Sequence, residues 1–170
     1  MELKQSVQDA LNRQIKEELF SAYIYLAVSA YCERTGLTGF AHWMRVQARE
    51  ELGHALKIFD FVNDRGGRVV LQAINEPGVD FGTPLQIAEK ALEHERRVTA
   101  MIEQIYGLAV KENDYATQAL MQWFISEQVE EEKNATLLVD RLRLVGEDRG
   151  ALLMLDVELG KREPEEEEED

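Results

Sequence analysis

The stretch VQAREELGHALKIFDF, residues 46–61, has no proline and a single glycine, and it carries Glu50, Glu51 and His54 at its centre. Its reading turns on which way those three side chains point. Charged residues in mid-helix ordinarily form a solvated face. Alternate steps of four and three residues, however, run through Phe40, Met44, Gln47, Glu51, His54, Ile58 and Phe61, which lie along one side of a helix. The ends of that seam are apolar and its centre is polar. Glu51 and His54 therefore face inward, where an unpaired carboxylate is strongly disfavoured. Partners must lie elsewhere in the chain.

Three further segments have the same helical period. One runs from about Ser6 to Arg34 and stops at RTGLTG. The quoted segment extends from about Thr38 to Arg65 and ends at Gly66-Gly67. A third starts at the cap Thr83-Pro84 and continues to about Glu112. The fourth follows NDY and ends at Val145, before Gly146. EDRGALLMLDVELGKR, 147–162, predicts a short fifth helix.

The link GRVVLQAINEPGVDFGT, 67–83, is 17 residues without helical period, a length that needs a reason in a compact domain. A crossover supplies one. Each long helix spans roughly 40–45 Å at 1.5 Å per residue, and an extended link of this size reaches roughly 55 Å. The short turns make antiparallel hairpins of the first and second pairs of helices. The expected fold is thus all-α: an antiparallel four-helix bundle with one long crossover and a short fifth C-terminal helix.

The remaining seams supply the partners. They read Leu11, Ile15, Glu18, Ala22, Tyr25 on the first helix and Ala88, Ala91, Glu95, Val98, Ile102, Ile105 on the third. The fourth gives Met121, Phe124, Gln128, Glu131, Ala135, Leu138, Leu142. Each places its polar group near mid-helix, so all four can meet at one level. Glu18 to Glu51 is 33 residues, with His54 three further on; Glu95 to Gln128 is again 33, with Glu131 three further on. One Glu from each of two helices and Glu-x-x-His from each of the others is the donor pattern of dimetal carboxylate bundles; here the second i, i+3 pair is Gln128 and Glu131. Glu18, Glu51, Glu95 and Glu131 sum to −4 when ionised, and no Lys or Arg stands on these seams. Two divalent cations balance that charge, and oxygen ligands with one imidazole suit iron or manganese.

The segments NRQIKEELFSAYIYL (12–26), FAHWMRVQAREELGHALKIFDFV (40–62) and WFISEQVEEEK (123–133) resemble the non-haem ferritins of bacteria and archaea, over roughly Leu3 to Gly160. The resemblance implies the ferritin-like fold and a ferroxidase centre. Its first iron site is expected at Glu18, Glu51 and His54. The second is expected at Glu51, Glu95 and Glu131, with Glu51 bridging and Gln128 nearby. Tyr25 matches a tyrosine beside the centre. A third iron site is expected at Glu50, Glu127 and Glu130. Helix geometry sets Glu50 about 100° round from Glu51, and Glu127 the same angle from Gln128, on the flank of the seam, where a solvated acidic strip is the competing reading. Bacterioferritins differ: a histidine completes their second site where Gln128 and Glu131 stand here, and their haem-binding methionine falls at Leu52, so no haem is expected. By resemblance the protein oxidises Fe(II) with O2 and stores ferric oxide in a hollow cage, usually of 24 subunits, with acidic pores.

Composition sets the remaining expectations. The 170 residues carry a net charge of −14, unsuited to nucleic acid and compatible with cations. The single cysteine, Cys32, suits a reducing compartment. MELKQSVQDALNRQIKEELF has no apolar core of a signal peptide, and no apolar run approaches membrane-spanning length, so a cytoplasmic location is expected. Residues 1–162 are expected to form one domain, and EPEEEEED, 163–170, a disordered acidic tail. His42 and His94 are read as surface or inter-subunit groups, and Trp43 and Trp123 as packing anchors. Two other classes compete. A rubrerythrin-like peroxidase would want a Cys-rich iron domain that one cysteine cannot supply. A metal-free structural bundle would leave four inward carboxylates without partners.

Overall fold

Five helices in chain order make up the computed structural model, which describes residues 3–164. They are α1 Gln5–Arg34, α2 Thr38–Asp64, α3 Pro84–Lys111, α4 Tyr115–Val145 and α5 Arg149–Leu159, with no strand among the described residues. The expected boundaries hold to within a residue or so. Of the expected acidic tail, Glu163 and Pro164 are exposed and non-helical, and residues 165–170 lie outside the described residues.

Local chemistry explains the breaks. The Thr83 hydroxyl accepts from the Gln86 backbone N–H while the Gln86 side-chain oxygen accepts from the Thr83 N–H, a complete capping box ahead of Pro84. Asp114 caps α4 through the Thr117 amide. Gly146 ends that helix at a φ of 54°, a left-handed value that glycine adopts without strain.

Contacts at the two ends give the topology. Lys4 before α1 pairs with Glu112 after α3 at 2.7 Å, and Arg65 after α2 pairs through both guanidinium arms with Asp114 before α4, at 3.0 and 3.3 Å. The start of α1, the end of α2, the end of α3 and the start of α4 therefore share one end of the bundle. At the opposite end, Tyr31 late in α1 donates to the Gly82 carbonyl just before α3. The link between α2 and α3 must travel the whole length, which makes it the expected crossover. Asn12 of α1 holds the first part of that link, donating to the Arg68 carbonyl and accepting from the Val70 amide.

The seams are buried as their period requires, Phe61 alone being half-buried. Their apolar ends form two separate clusters. Val7, Leu11, Ile15, Ile58, Ile102, Met121 and Phe124 fill one end, and Val28, Phe40, Met44, Ala88, Leu138 and Leu142 fill the other. Between them lies a layer of buried polar groups. Helix α5 packs on α2 near the second cluster. Asp156 is buried there and accepts from the Phe40 amide at 2.9 Å, covering an otherwise unpaired donor in the first turn of α2. The approach is close enough that a Cβ on Gly39 would overlap the Asp156 carbonyl oxygen, so only glycine fits.

Candidate metal centre

The layer that divides the core contains Glu18, Glu51, His54, Glu95, Gln128 and Glu131, all buried. Glu18 of α1 and Glu51 and His54 of α2 bring one donor atom each to within 4.8 Å of one another. His54 Nδ1 is 3.5 Å from Glu51 Oε2, and its Nε2 is 3.8 Å from Glu127 Oε2. Glu95 accepts from the Tyr25 hydroxyl, and Gln128 Nε2 lies 3.4 Å from the other Glu95 oxygen and 3.2 Å from its carbonyl. Glu131 accepts from Gln47 Nε2 at 2.6 Å. Tyr25 thus stands beside the centre through Glu95.

Burial without balancing charge governs the electrostatics. Desolvation, then the neighbouring Glu51 charge, raises Glu18 from 4.5 to about 8. Desolvation likewise raises Glu51 and Glu95. Glu131 is pushed well above its ordinary value by desolvation and then by Glu51 and Glu95. Burial alone would lower His54, but Glu127, Glu51 and Glu18 outweigh it and hold the imidazole well above its usual value. Four carboxylates that resist ionisation together are a site short of positive charge. The buried Glu18 Oε2 makes this concrete, having no hydrogen-bond partner among the described residues. The donor set fits divalent cations: hard oxygens with one imidazole, close together and unneutralised.

The flank residues are less gathered. Glu127 reaches His54, Glu130 is exposed, and Glu50 is held by Arg162 at 2.6 Å. They do not draw together into a cluster comparable to Glu18, Glu51 and His54. Several orienting residues escaped the sequence reading. Gln14 donates to Glu18 Oε1 at 2.8 Å, a pair the i, i+4 rule could have found. Gln47 stood on the seam without a role. His94 is half-buried, with a ring nitrogen 2.6 Å from Ser21 Oγ, and desolvation lowers it to about 4. His42 is exposed, as expected. Trp43 is buried, and Trp123 stacks edge-on to both His54 and Phe124. Behind Tyr25, a cavity of about 350 Å³ opens between α1 and α3, lined by Ile24, Val28, Met44 and His94.

Four long helices that send carboxylates and one imidazole into a single buried layer have the arrangement of the ferritin-like bundles. A family model for the ferritin-like domain matches residues 8–145. The bacterial non-haem ferritin of Bacteroides fragilis is 39% identical over 160 residues, covering 94% of this chain and 99% of that one. The bacterial non-haem ferritin of Staphylococcus aureus is 36% identical over 165 residues, 97% and 99% of the two chains. The crystal structure of an open-pore ferritin from the hyperthermophilic archaeon Archaeoglobus fulgidus superposes with a TM-score of 0.94 at 49% identity, covering 95% of this chain and 98% of that one. The chain belongs to the ferritin family, among the non-haem ferritins.

Proposed function

We propose that this protein stores iron, oxidising Fe(II) with O2 at a dinuclear carboxylate centre and holding the ferric product as hydrated oxide inside a cage of its own copies. The observation that carries the reading is the buried, uncompensated set of Glu18, Glu51 and His54, with Glu95 and Glu131 in the same layer. Iron is substrate here. Glu18, Glu51 and His54 take one Fe(II); Glu51, Glu95 and Glu131 take the second, with Gln128 and Tyr25 fixing Glu95. Each ion gives one electron to O2, and holding both ions close with coordination positions open is the protein's part in the chemistry. The apolar cavity behind Tyr25 offers O2 an approach. A carboxylate-rich site with one imidazole binds weakly enough to release its product. Glu50, Glu127 and Glu130 are assigned to a third, exchangeable iron on the way out.

Storage needs a container, and a single bundle fills its own interior. Exposed apolar side chains support assembly: Leu26 on α1, Leu52 and Leu56 on α2, and Val70, Leu71 and Val79 on the crossover. A cage, with 24 subunits as the family number, would cover them. Among the described residues no helix is long and apolar enough to cross a membrane, and the reading places the protein in the cytoplasm. The deciding measurement is native mass together with iron content after aerobic Fe(II) loading; a 19.5 kDa species that takes up no iron ends the proposal. Within it, His54→Ala is expected to slow the initial oxidation of small Fe(II) additions by at least about tenfold, equivalent to about 1.4 kcal/mol of barrier. Unchanged initial rates in an assembled variant would remove His54 from the centre.

A further inference from the structure

The sequence places no positive charge on the inward seams, yet the fold delivers one to their edge. Arg162 lies just beyond α5, 112 residues from Glu50. Its Nη1 donates to Gln47 Oε1 at 2.7 Å and its Nη2 to Glu50 Oε2 at 2.6 Å. The guanidinium also covers the Trp43 ring at 4.6 Å, and His42 Nε2 donates to the Arg162 carbonyl at 2.8 Å. Those four partners, His42, Trp43, Gln47 and Glu50, all belong to α2. The close docking of α5 at Gly39 and Asp156 aims the segment at them. The pair is sheltered, with Arg162 and Glu50 side chains only 17% and 12% exposed, so solvent screens it less than an ordinary surface ion pair. Gln47, held by one arm of the fork, donates its amide to Glu131. The arginine is thus directly on a flank carboxylate and one side chain away from the dinuclear layer.

We infer that Arg162 is a resident cation that competes with metal for Glu50 and so sets how tightly the flank of the centre holds a divalent ion. The inference rests on the proposed metal-binding reading and adds a specificity-determining residue to it. A guanidinium and a divalent ion cannot share that carboxylate without strong repulsion, so an ion bound through Glu50 displaces Arg162. Breaking the charge-assisted bond subtracts from the affinity of that ion alone. Ions at Glu18, Glu51 and His54, and at Glu51, Glu95 and Glu131, need no such displacement and make up the tighter class. Binding therefore falls into a tighter class that ignores Arg162 and a weaker class that senses it. Linkage makes the effect reciprocal: metal at Glu50 frees the segment after α5, and holding that segment in place weakens metal.

Calorimetric titration of the metal-free assembled protein with Zn(II) separates these classes without any turnover. Arg162→Gln is expected to leave the tighter class unchanged and to tighten the weaker class by about tenfold. Arg162→Lys, which keeps the charge, is expected to hold it within about threefold of the parent. Glu50→Gln, alone or with Arg162→Gln, is expected to abolish the weaker class and the gain with it. Because Glu50→Gln leaves the α5 anchor intact, it decides the matter even where Arg162→Gln fails to assemble. A tighter class that is present alongside a weaker class indifferent to Arg162→Gln, or surviving Glu50→Gln, overturns the competition and leaves the centre standing. Loss of the tighter class in the parent protein would overturn the centre itself.

Discussion

Glu51→Gln is expected to lower the initial rate of Fe(II) oxidation by at least about 100-fold while leaving the assembled protein at least as stable without metal. The two halves of that result have one cause. Glu51 is the central carboxylate of the layer: it pairs with His54, and its charge raises Glu18 and Glu131. It is also the residue assigned to both iron ions. Changes to residues that merely support a metal ligand typically cost 10–100-fold, so removing the shared ligand should do more. The amide matches the carboxylate in size, which excludes a cavity as the reason for lost activity. It also removes one of four crowded buried carboxylates whose charge opposes ionisation of Glu18 and Glu131, and relief of that repulsion offsets the lost contact with His54, which keeps Glu127 as a partner. Initial rates from stopped-flow absorbance and thermal melting of metal-free protein check both halves. A parental rate would take Glu51 out of the centre; a large drop in melting temperature would make its role structural.

What the sequence showed, and what it hid, follows from the range of each signal. Helix ends were legible because their chemistry is local, as with Thr83 and Gln86, or Gly146. The inward Glu18, Glu51, His54, Glu95, Gln128 and Glu131 were legible because a helical seam is periodic, and all six are buried. The crossover was legible from length alone. Contacts between distant segments carry no period. Nothing in EDRGALLMLDVELGKR marks Arg162 as a partner of Glu50, because that pairing depends on how α5 seats against Gly39. His94 lies off the seam of α3, which marks a surface or inter-subunit position but cannot show the contact with Ser21 of the neighbouring helix that half-buries it. The flank trio shows the same limit. Angular position put Glu50, Glu127 and Glu130 on two flanks, but it could not foresee that Glu50 already holds a cation.

The stability of the metal-free protein should fall as the pH rises from about 5 to 8, and a bound divalent cation should abolish that fall. Glu18 has its folded value raised from 4.5 to about 8, and Glu51, Glu95, Glu131 and His54 are all shifted upward. In that window the folded state keeps protons that the unfolded chain has released. Stability contributed by such groups is full below their unfolded values and is lost as the pH climbs through the folded ones. Each extra proton retained costs about 1.4 kcal/mol per pH unit. His94, lowered from 6.5 to about 4 by desolvation, opposes the fall in part below about pH 6.5, so the decline is steepest above that value; Glu112 and Asp114 lie outside the window. Lys4 holds Glu112 low, and Arg65 with Thr117 holds Asp114 low against its partial burial, so both act only as the pH drops below about 4.5. A divalent ion replaces the protons and keeps the carboxylates ionised, so binding releases protons and adds stability increasingly toward pH 8. Melting curves between pH 5 and 8, with chelator and then with Zn(II), read the effect directly. Calorimetry near pH 6.5 in two buffers of different ionisation enthalpy counts the released protons, expected at one or more per subunit. Equal melting temperatures at pH 5 and 8 without metal, or no gain on adding Zn(II) at pH 8, would mean that the glutamates are already balanced by something other than a metal ion.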